Sequence, residues 1–318
     1  MTPPGRRRRH KEPINHSATR TAAEVIHAVE RRFRRAKLHY GHGTASARDE
    51  AAWLVSHVLR TAPSRLESRL NKPVAQSQAE KIEALAAERV RTRKPLAYLL
   101  REAWFAGLRF YIDERAIVPR SLTGEFIRER FQPWIKVKHV RRILDLCTGS
   151  GCMAIACARA FPRAHVDAAD FSDDALAVAR LNVEKHRLRK RLRLIRSDLF
   201  GALKGKRYDL IVTNPPYVGR AEMKTLPPEY RHEPGLALAS GEQGLDAITR
   251  ILAQAPKYLT PGGILVAEVG NSAATLQANF PSVPFMWLTT TQGDESVFLI
   301  TAEELARHRR AFTTSRSN

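Results

Sequence analysis

A chain of 318 residues with 43% hydrophobic content can bury a large core and exceeds the usual size of one compact domain, so two domains are expected. Lys and Arg number 53 against 32 Asp and Glu, and the formal net charge of +21 draws the protein toward phosphate-rich or otherwise acidic partners such as ribosomes, RNA or DNA. No stretch is apolar enough to span a membrane and the Arg6–Arg9 run is not followed by the apolar core of a secretory signal, so a reducing, cytoplasmic setting is expected; an Arg-rich organelle transit peptide is the competing reading, disfavoured by Pro3, Pro4 and Gly5.

Residues 1–20 are basic, polar and broken by proline, and are expected to form a disordered arm. From Thr21, Val25, Ile26, Val29, Phe33 and Leu38 recur at helical spacing. Trp53, Leu54, Val58 and Leu59 do the same, as do Ile82, Leu85, Ala86 and Val90. Three amphipathic helices over 21–95 form a helical domain, with turns at Ala62-Pro63-Ser64 and Asn71-Lys72-Pro73. Trp104–Ile112, aromatic and β-branched around Gly107, reads as a hairpin, and 96–112 as a linker.

Strand and helix patterns alternate beyond it. Ile143–Cys147, His165–Asp170, Leu192–Ile195, Tyr208–Val212 and Ile264–Val269 read as strands, Ala154–Ala160 and Asp174–Lys185 as helices. This alternation predicts an α/β fold over 113–318, a doubly wound parallel sheet with helices on both faces. Phe285–Thr289 and Val297–Ile300, separated by Gln292-Gly293-Asp294, close it as an antiparallel hairpin. Cys147, Cys152 and Cys157 match neither a disulfide framework nor a metal pair and read as small buried apolar residues; no metal site is expected.

Ligands bind such sheets outside the carboxyl ends of the strands. The first exit, Asp145-Leu-Cys-Thr148-Gly149-Ser150-Gly151-Cys, lets backbone approach a ligand closely and opens a helix with free N–H groups. Gly149-x-Gly151-x-x-Ala154 with Asp170 also fits a dinucleotide fingerprint, so a dehydrogenase competes. Asp145 before the turn and Asp198 after the third strand favour a ligand with an adenosine half and an amino-acid half but no pyrophosphate. Asp170 accepts the ribose hydroxyls, Asp198 accepts from the adenine amine, Leu199 and Phe200 cover the ring, and the glycine turn takes the methionine half. S-adenosylmethionine has that shape. The competing role for both carboxylates is a helix N-cap.

Asn214-Pro215-Pro216-Tyr217 follows the strand Tyr208–Val212. Its two prolines remove two backbone donors and restrict Asn214 and Pro215 to extended conformations, giving a stiff pair of acceptors. An amide NH₂ donates one hydrogen to the Asn214 side-chain oxygen and the other to the Pro215 carbonyl, with the Tyr217 ring on the amide plane. An amide nitrogen is a poor nucleophile, so rate comes from positioning and oriented dipoles. A carboxylate has no hydrogens to offer and is rejected. An exocyclic base amine meets the same requirements.

The combination of Asp145-x-x-Thr-Gly-Ser-Gly151, Asp170, Asp198 and Asn214-Pro-Pro-Tyr217 resembles the amino-methyltransferases. Within them the chain is similar to the protein N(5)-glutamine methyltransferases, in the branch acting on a large-subunit ribosomal protein, L-three. The resemblance runs from about Ala23 to Leu305 and takes in Val118-Pro-Arg-Ser121, Leu226-Pro-Pro-Glu-Tyr-Arg-His-Glu-Pro234 and Glu268-Val-Gly-Asn271. The sister branch, which modifies release factors, usually has Gly where this chain has Cys147, and Gln243 departs from an expected Asp. The resemblance implies a Rossmann-like class I methyltransferase sheet preceded by a small substrate-recognition domain of helices. It implies S-adenosylmethionine held by Asp145, Thr148, Gly149, Ser150, Gly151, Asp170, Phe171, Asp198, Leu199 and Asn214, and catalysis by Asn214, Pro215, Pro216 and Tyr217. The ribosomal protein is the implied substrate, with ribosomal RNA near the basic surface. Arg120 and His232 serve either the substrate or an ion pair and a packed loop. Competing functions are release-factor glutamine methylation and RNA or DNA amine methylation.

Overall fold

A computed structural model describes residues 20–314; the arm expected over 1–20 lies, apart from Arg20, outside them. The chain packs as two compact units, one taking the described residues up to Leu38 together with Ser46–Val90, the other His39–Ala45 and the described residues from Arg91 onward. No described helix is long and apolar enough to cross a membrane.

The first unit is helical. Helix α1 (Ala22–Arg35) opens on a capping box: the Glu24 N–H donates to the Thr21 hydroxyl, and the Thr21 N–H donates to the Glu24 carboxylate. Ser46 caps α2 (Ala47–Val58). Val25, Ile26, Val29 and Phe33 of α1 are buried, as are Ala51, Leu54 and Val55 of α2 and Ile82 and Ala86 of α3 (Gln76–Thr92). Within this apolar packing the Arg89 guanidinium meets the Glu50 carboxylate at 2.6 Å, both side chains almost fully buried.

The second unit begins with α4 (Leu96–Leu100) and a hairpin of β1 (Ala103–Phe105) and β2 (Leu108–Phe110). Ala106 and Gly107 both have positive φ, the geometry that matches the twist of a two-residue hairpin. The hairpin is part of this unit's core, where Phe105 and Phe110 join Phe126 and Ile127 of α5 (Thr123–Arg128). A seven-stranded sheet follows, formed by β3 (Arg142–Leu146), β4 (His165–Asp170), β5 (Leu192–Arg196), β6 (Tyr208–Thr213), β7 (Leu259–Glu268), β8 (Met286–Leu288) and β9 (Val297–Thr301), in the order β5-β4-β3-β6-β7-β9-β8. The first five strands of that order are parallel, and β9 runs antiparallel to both β7 and β8. Successive residues feed opposite faces: Ile264 and Val266 join one apolar cluster with α6 (Cys152–Ala160), while Leu265 and Ala267 join the other with the helix Asp246–Gln254. Both faces are therefore covered, which is why the strands read as nearly continuous apolar runs. Helix α7 (Asp173–Lys185) joins β4 to β5. The winding reverses at β3, between β4 and β6, and the crevice at that reversal is where such sheets bind ligands.

Strand β7 begins five residues earlier than its apolar run, because the register shifts between Tyr208 and Leu210 and Pro261-Gly262-Gly263 sit in the irregular stretch as part of the strand. Removing one member of a buried ion pair is costly, so Arg89→Met is expected to lower stability by about 3–5 kcal/mol, and Arg89→Met with Glu50→Gln by clearly less. Urea unfolding of the two variants checks this; equal losses would mean the pair contributes only volume.

Candidate active site

The exit of β3 is organised around Asp145, which is fully buried. Its Oδ2 accepts from the Thr148 hydroxyl at 2.5 Å and from the Ala154 N–H at 2.9 Å. Gly151, the N-cap of α6, has no side chain to cap with, so Asp145 supplies that function from the strand. Cys147, Gly149 and Gly151 all have positive φ, and a Cβ on Gly151 would lie 3.2 Å from the Ala179 Cβ of α7. Burial pushes the Asp145 carboxyl up to about 7, against hydrogen bonds that favour its charged form.

Asp170, at the exit of β4, accepts from the Gly149 N–H and the Ser172 N–H, each at 2.8 Å. It ties the glycine turn to the neighbouring loop. The N-cap of α7 is Ser172, whose hydroxyl accepts from the Ala175 N–H, so the competing capping role does not belong to Asp170. Burial raises the Asp170 pKa against these bonds.

These exits enclose a cavity of about 290 Å³. Of the residues singled out in the sequence, Thr148, Gly149, Ser150, Asp170, Phe171, Asp198, Leu199 and Asn214–Tyr217 line it. Asp145, fully buried, and Gly151 are not among the residues lining the cavity and stand behind the turn that does. One expectation is corrected: Phe200 has no exposed surface and stacks on Tyr258 at 4.4 Å inside the core, so Leu199 alone of that pair reaches the cavity. Phe171, 54% exposed, lies under the Arg196 guanidinium at 4.1 Å. Asp198 is paired with Arg250 at 2.8 Å. Sequence reasoning missed Arg250, the strip Arg115–Ile117 and the apolar rim Leu236–Leu238, in which Leu236 is 73% exposed. An exposed leucine and a mid-helix arginine carry no sequence signal of their own.

Buried carboxylates fix the loop Val118–Ser121, which also lines the cavity. Glu233 takes both Arg120 nitrogens at 2.5 and 2.8 Å and the Val118 N–H at 3.1 Å, with His42 at 3.5 Å. Burial alone would raise the Glu233 carboxyl, but Arg120 and His42 outweigh it and hold it at about 2. Arg120 is thus engaged in an ion pair, and His232 sits 3.0 Å from the Thr92 carbonyl. Glu268 accepts from the Ser121 hydroxyl at 2.6 Å and the Leu122 N–H at 2.8 Å.

Asn214-Pro-Pro-Tyr217 is supported from behind. Thr213 donates its hydroxyl to the Leu146 carbonyl, and Ser272 donates to the Tyr217 carbonyl at 2.9 Å. The Tyr217 ring lies on Gly270 and its carbonyl on Gly244; both glycines have positive φ, and a Cβ at either would overlap Tyr217. Burial, with Glu268 nearby, raises the Tyr217 pKa and keeps it neutral. In this rigid frame the Asn214 Oδ1 is buried and has no hydrogen-bond partner among the described residues. A buried acceptor left unmatched costs about 1–3 kcal/mol, so it points to a donor that arrives with a ligand.

The Methyltransferase small domain family matches residues 130–226, and the PrmC N-terminal domain family matches residues 24–100. With the winding of the sheet and the cavity at its reversal, this makes the chain a class I methyltransferase using S-adenosylmethionine. The ribosomal protein uL3 glutamine methyltransferase of Burkholderia pseudomallei is 47% identical over 289 residues, covering 88% of this chain and 94% of its own. Those of Francisella tularensis and Neisseria meningitidis are 45% and 46% identical, covering 86% and 90% of this chain and 88% and 94% of their own. The chain belongs to the ribosomal protein uL3 glutamine methyltransferase family.

Because the Asp145 carboxyl is raised in the folded state from 3.8 to about 7, its contribution to stability is fully present below pH 3.8 and is lost as pH rises through 7. Asp145→Asn abolishes this dependence, so the Tm of the native protein is expected to fall relative to the variant between pH 4.5 and 8; a constant gap would mean that Asp145 does not titrate there. Gly270→Ala displaces the Tyr217 ring and is expected to lower kcat at least tenfold with cofactor affinity kept; unchanged kcat would free the ring of any role in turnover.

Proposed function

We propose that this chain methylates the side-chain amide nitrogen of a glutamine in large-subunit ribosomal protein uL3. The observation that carries the reading is the buried, partnerless Asn214 Oδ1 at the head of a braced Asn-Pro-Pro-Tyr segment, in a chain 45–47% identical to uL3 glutamine methyltransferases. The cavity residues suit S-adenosylmethionine. Asp170 keeps lone pairs for ribose hydroxyls, Asp198 and Leu199 lie where an adenine would rest, and the positive-φ turn at Gly149 lets backbone reach the methionine half. Bound there, S-adenosylmethionine supplies a methyl group on a positively charged sulfur.

The protein's own part is positional. Asn214 Oδ1 and the Pro215 carbonyl accept the two amide hydrogens and draw electron density onto the nitrogen, while the Tyr217 ring covers the amide plane. A glutamate carboxylate would face the same two acceptors with nothing to donate. The N-terminal helical region, matched by the PrmC N-terminal domain family, takes the substrate protein, and a ribosomal-protein substrate implies a cytoplasmic setting.

Asn214→Ala is expected to lower kcat by about 10²–10³ with cofactor binding kept, as for loss of one oriented polar group; an unchanged rate would sink the acceptor-pair mechanism. Asp170→Ala is expected to weaken S-adenosylmethionine binding about 10- to 100-fold by calorimetry. Radiolabelled methyl transfer to ribosomal material from cells lacking the enzyme decides the substrate. Label lost to protease and mapped to a uL3 glutamine supports the proposal, whereas label lost to nuclease, or carried only by release factors, overturns it.

A further inference from the structure

The parallel strands enter the sheet at the edge opposite the cavity, so the loops preceding β3, β4, β5 and β6 all open there. Residues 134–142, 161–165, 185–193 and 203–208 are those loops with the strand starts, and they carry four, one, six and three Lys or Arg. None contains Asp or Glu, so fourteen of the chain's 53 Lys and Arg stand along one edge, where the flanking Glu184 is paired with Arg189. The nearest acids are engaged. Asp167 pairs with Lys206 at 2.6 Å, and Asp209 accepts from the Arg141 and Arg142 backbone N–H groups at 2.7 and 2.9 Å. Lys138, Arg142, Lys190 and Arg193 are exposed. At the centre of the edge a basin of about 270 Å³ is lined by Arg142, His165, Asp167, Lys206, Arg207 and Tyr208.

We propose that this strand-entry edge is an RNA-binding surface that holds the phosphate backbone without reading sequence. It is a function separate from methyl transfer. Strands about 4.8 Å apart spread four adjacent loops over roughly 15 Å. With one charge per about 3.4 Å of a nucleic-acid strand, that width faces about four phosphates. An anionic bilayer is the weaker match, since insertion needs apolar anchors. The exposed large apolar side chains among the described residues, Phe171, Leu181, Leu236 and Met286, all lie outside these loops.

The test uses the full chain and a fluorescent single-stranded RNA of mixed sequence, with affinity measured by anisotropy over a salt series. Lys138→Gln, Arg142→Gln, Lys190→Gln and Arg193→Gln in one protein is expected to weaken binding at least tenfold and to reduce the slope of log K against log salt by about 3, near 0.7 per lost phosphate contact. A control with the same loss of charge, Arg31→Gln, Arg35→Gln, Lys72→Gln and Lys81→Gln, is expected to keep the native slope. Methyl transfer to isolated uL3 protein is expected to be unchanged in the edge variant; that arm stands or falls with the proposed substrate, independently of the RNA arm. An unaltered slope in the edge variant, an equal drop in the control, or retention on phosphatidylglycerol vesicles in preference to RNA overturns the proposal.

Discussion

The carboxylate of Asp145 sits with no solvent exposure near the end of β3, and holding it there requires the chain beyond it to turn back on itself. Burying a carboxylate costs several kcal/mol unless hydrogen bonds compensate. Here the Thr148 hydroxyl and the Ala154 N–H supply two, and what they leave uncompensated is visible in the raised pKa. Satisfying both donors from one oxygen brings the start of α6 against the end of β3 and leaves only a tight turn between them. That turn needs positive φ at Cys147, Gly149 and Gly151; at Cys147, which carries a Cβ, the conformation costs about 1–2 kcal/mol. The Gly149 N–H then reaches Asp170 on the next strand, so one buried charge fixes two adjacent walls of the cavity.

The cavity-lining loop Val118–Ser121 has no helix or strand of its own, and two other buried carboxylates do the work that helix or sheet hydrogen bonds do elsewhere. Glu233 clamps Val118 and Arg120, and Glu268, at the exit of β7, clamps Ser121 and Leu122. Their opposite pKa shifts follow from their partners. Glu233 faces a guanidinium and stays charged, whereas Glu268 meets neutral donors, with Arg120 only a lesser influence, and is raised. A loop held at both ends by strong acceptors is a rigid loop. For a reaction whose nucleophile is an amide nitrogen, rigidity is a main resource the protein has, because little general-base strength can be brought to bear on a delocalised lone pair.

Much of this was readable from residues alone. Strand β4 runs from His165 to Asp170 as its period predicts, and β3, β5, β6 and β9 differ from expectation by a residue or so at their ends, since each is an apolar run bounded by polar or glycine turns. The start of β7 was hidden because Pro261-Gly262-Gly263 signals a turn, and only pairing with β6 shows it to be an irregular stretch of strand. The walls formed by strand exits were legible through motif spacing. The roles behind them were not: that Asp145 faces inward, that Phe200 turns to Tyr258, and that Gly244 and Gly270 exist to admit Tyr217 are consequences of tertiary approach, which no local pattern encodes.

The same parallel winding explains how one sheet can separate two kinds of chemistry. Every strand from β3 to β7 points the same way, so loops before strands gather at one edge and loops after strands at the other. At the exits stand Asp145, Asp170, Asp198 and Glu268; Asp145 and Glu268 are buried and, like the half-buried Asp170, bound to neutral donors, which suits a site that orients a neutral amide. At the entries stand exposed lysines and arginines whose long stems keep their charge in solvent, which suits long-range attraction of a polyanion. The charges are about 20 Å apart, the length of a six-residue strand, and at physiological salt the Debye length is about 8 Å. The entry edge can therefore attract phosphate without pulling on the carboxylates that shape the cavity, and a large excess of positive charge is compatible with a site built on buried acids.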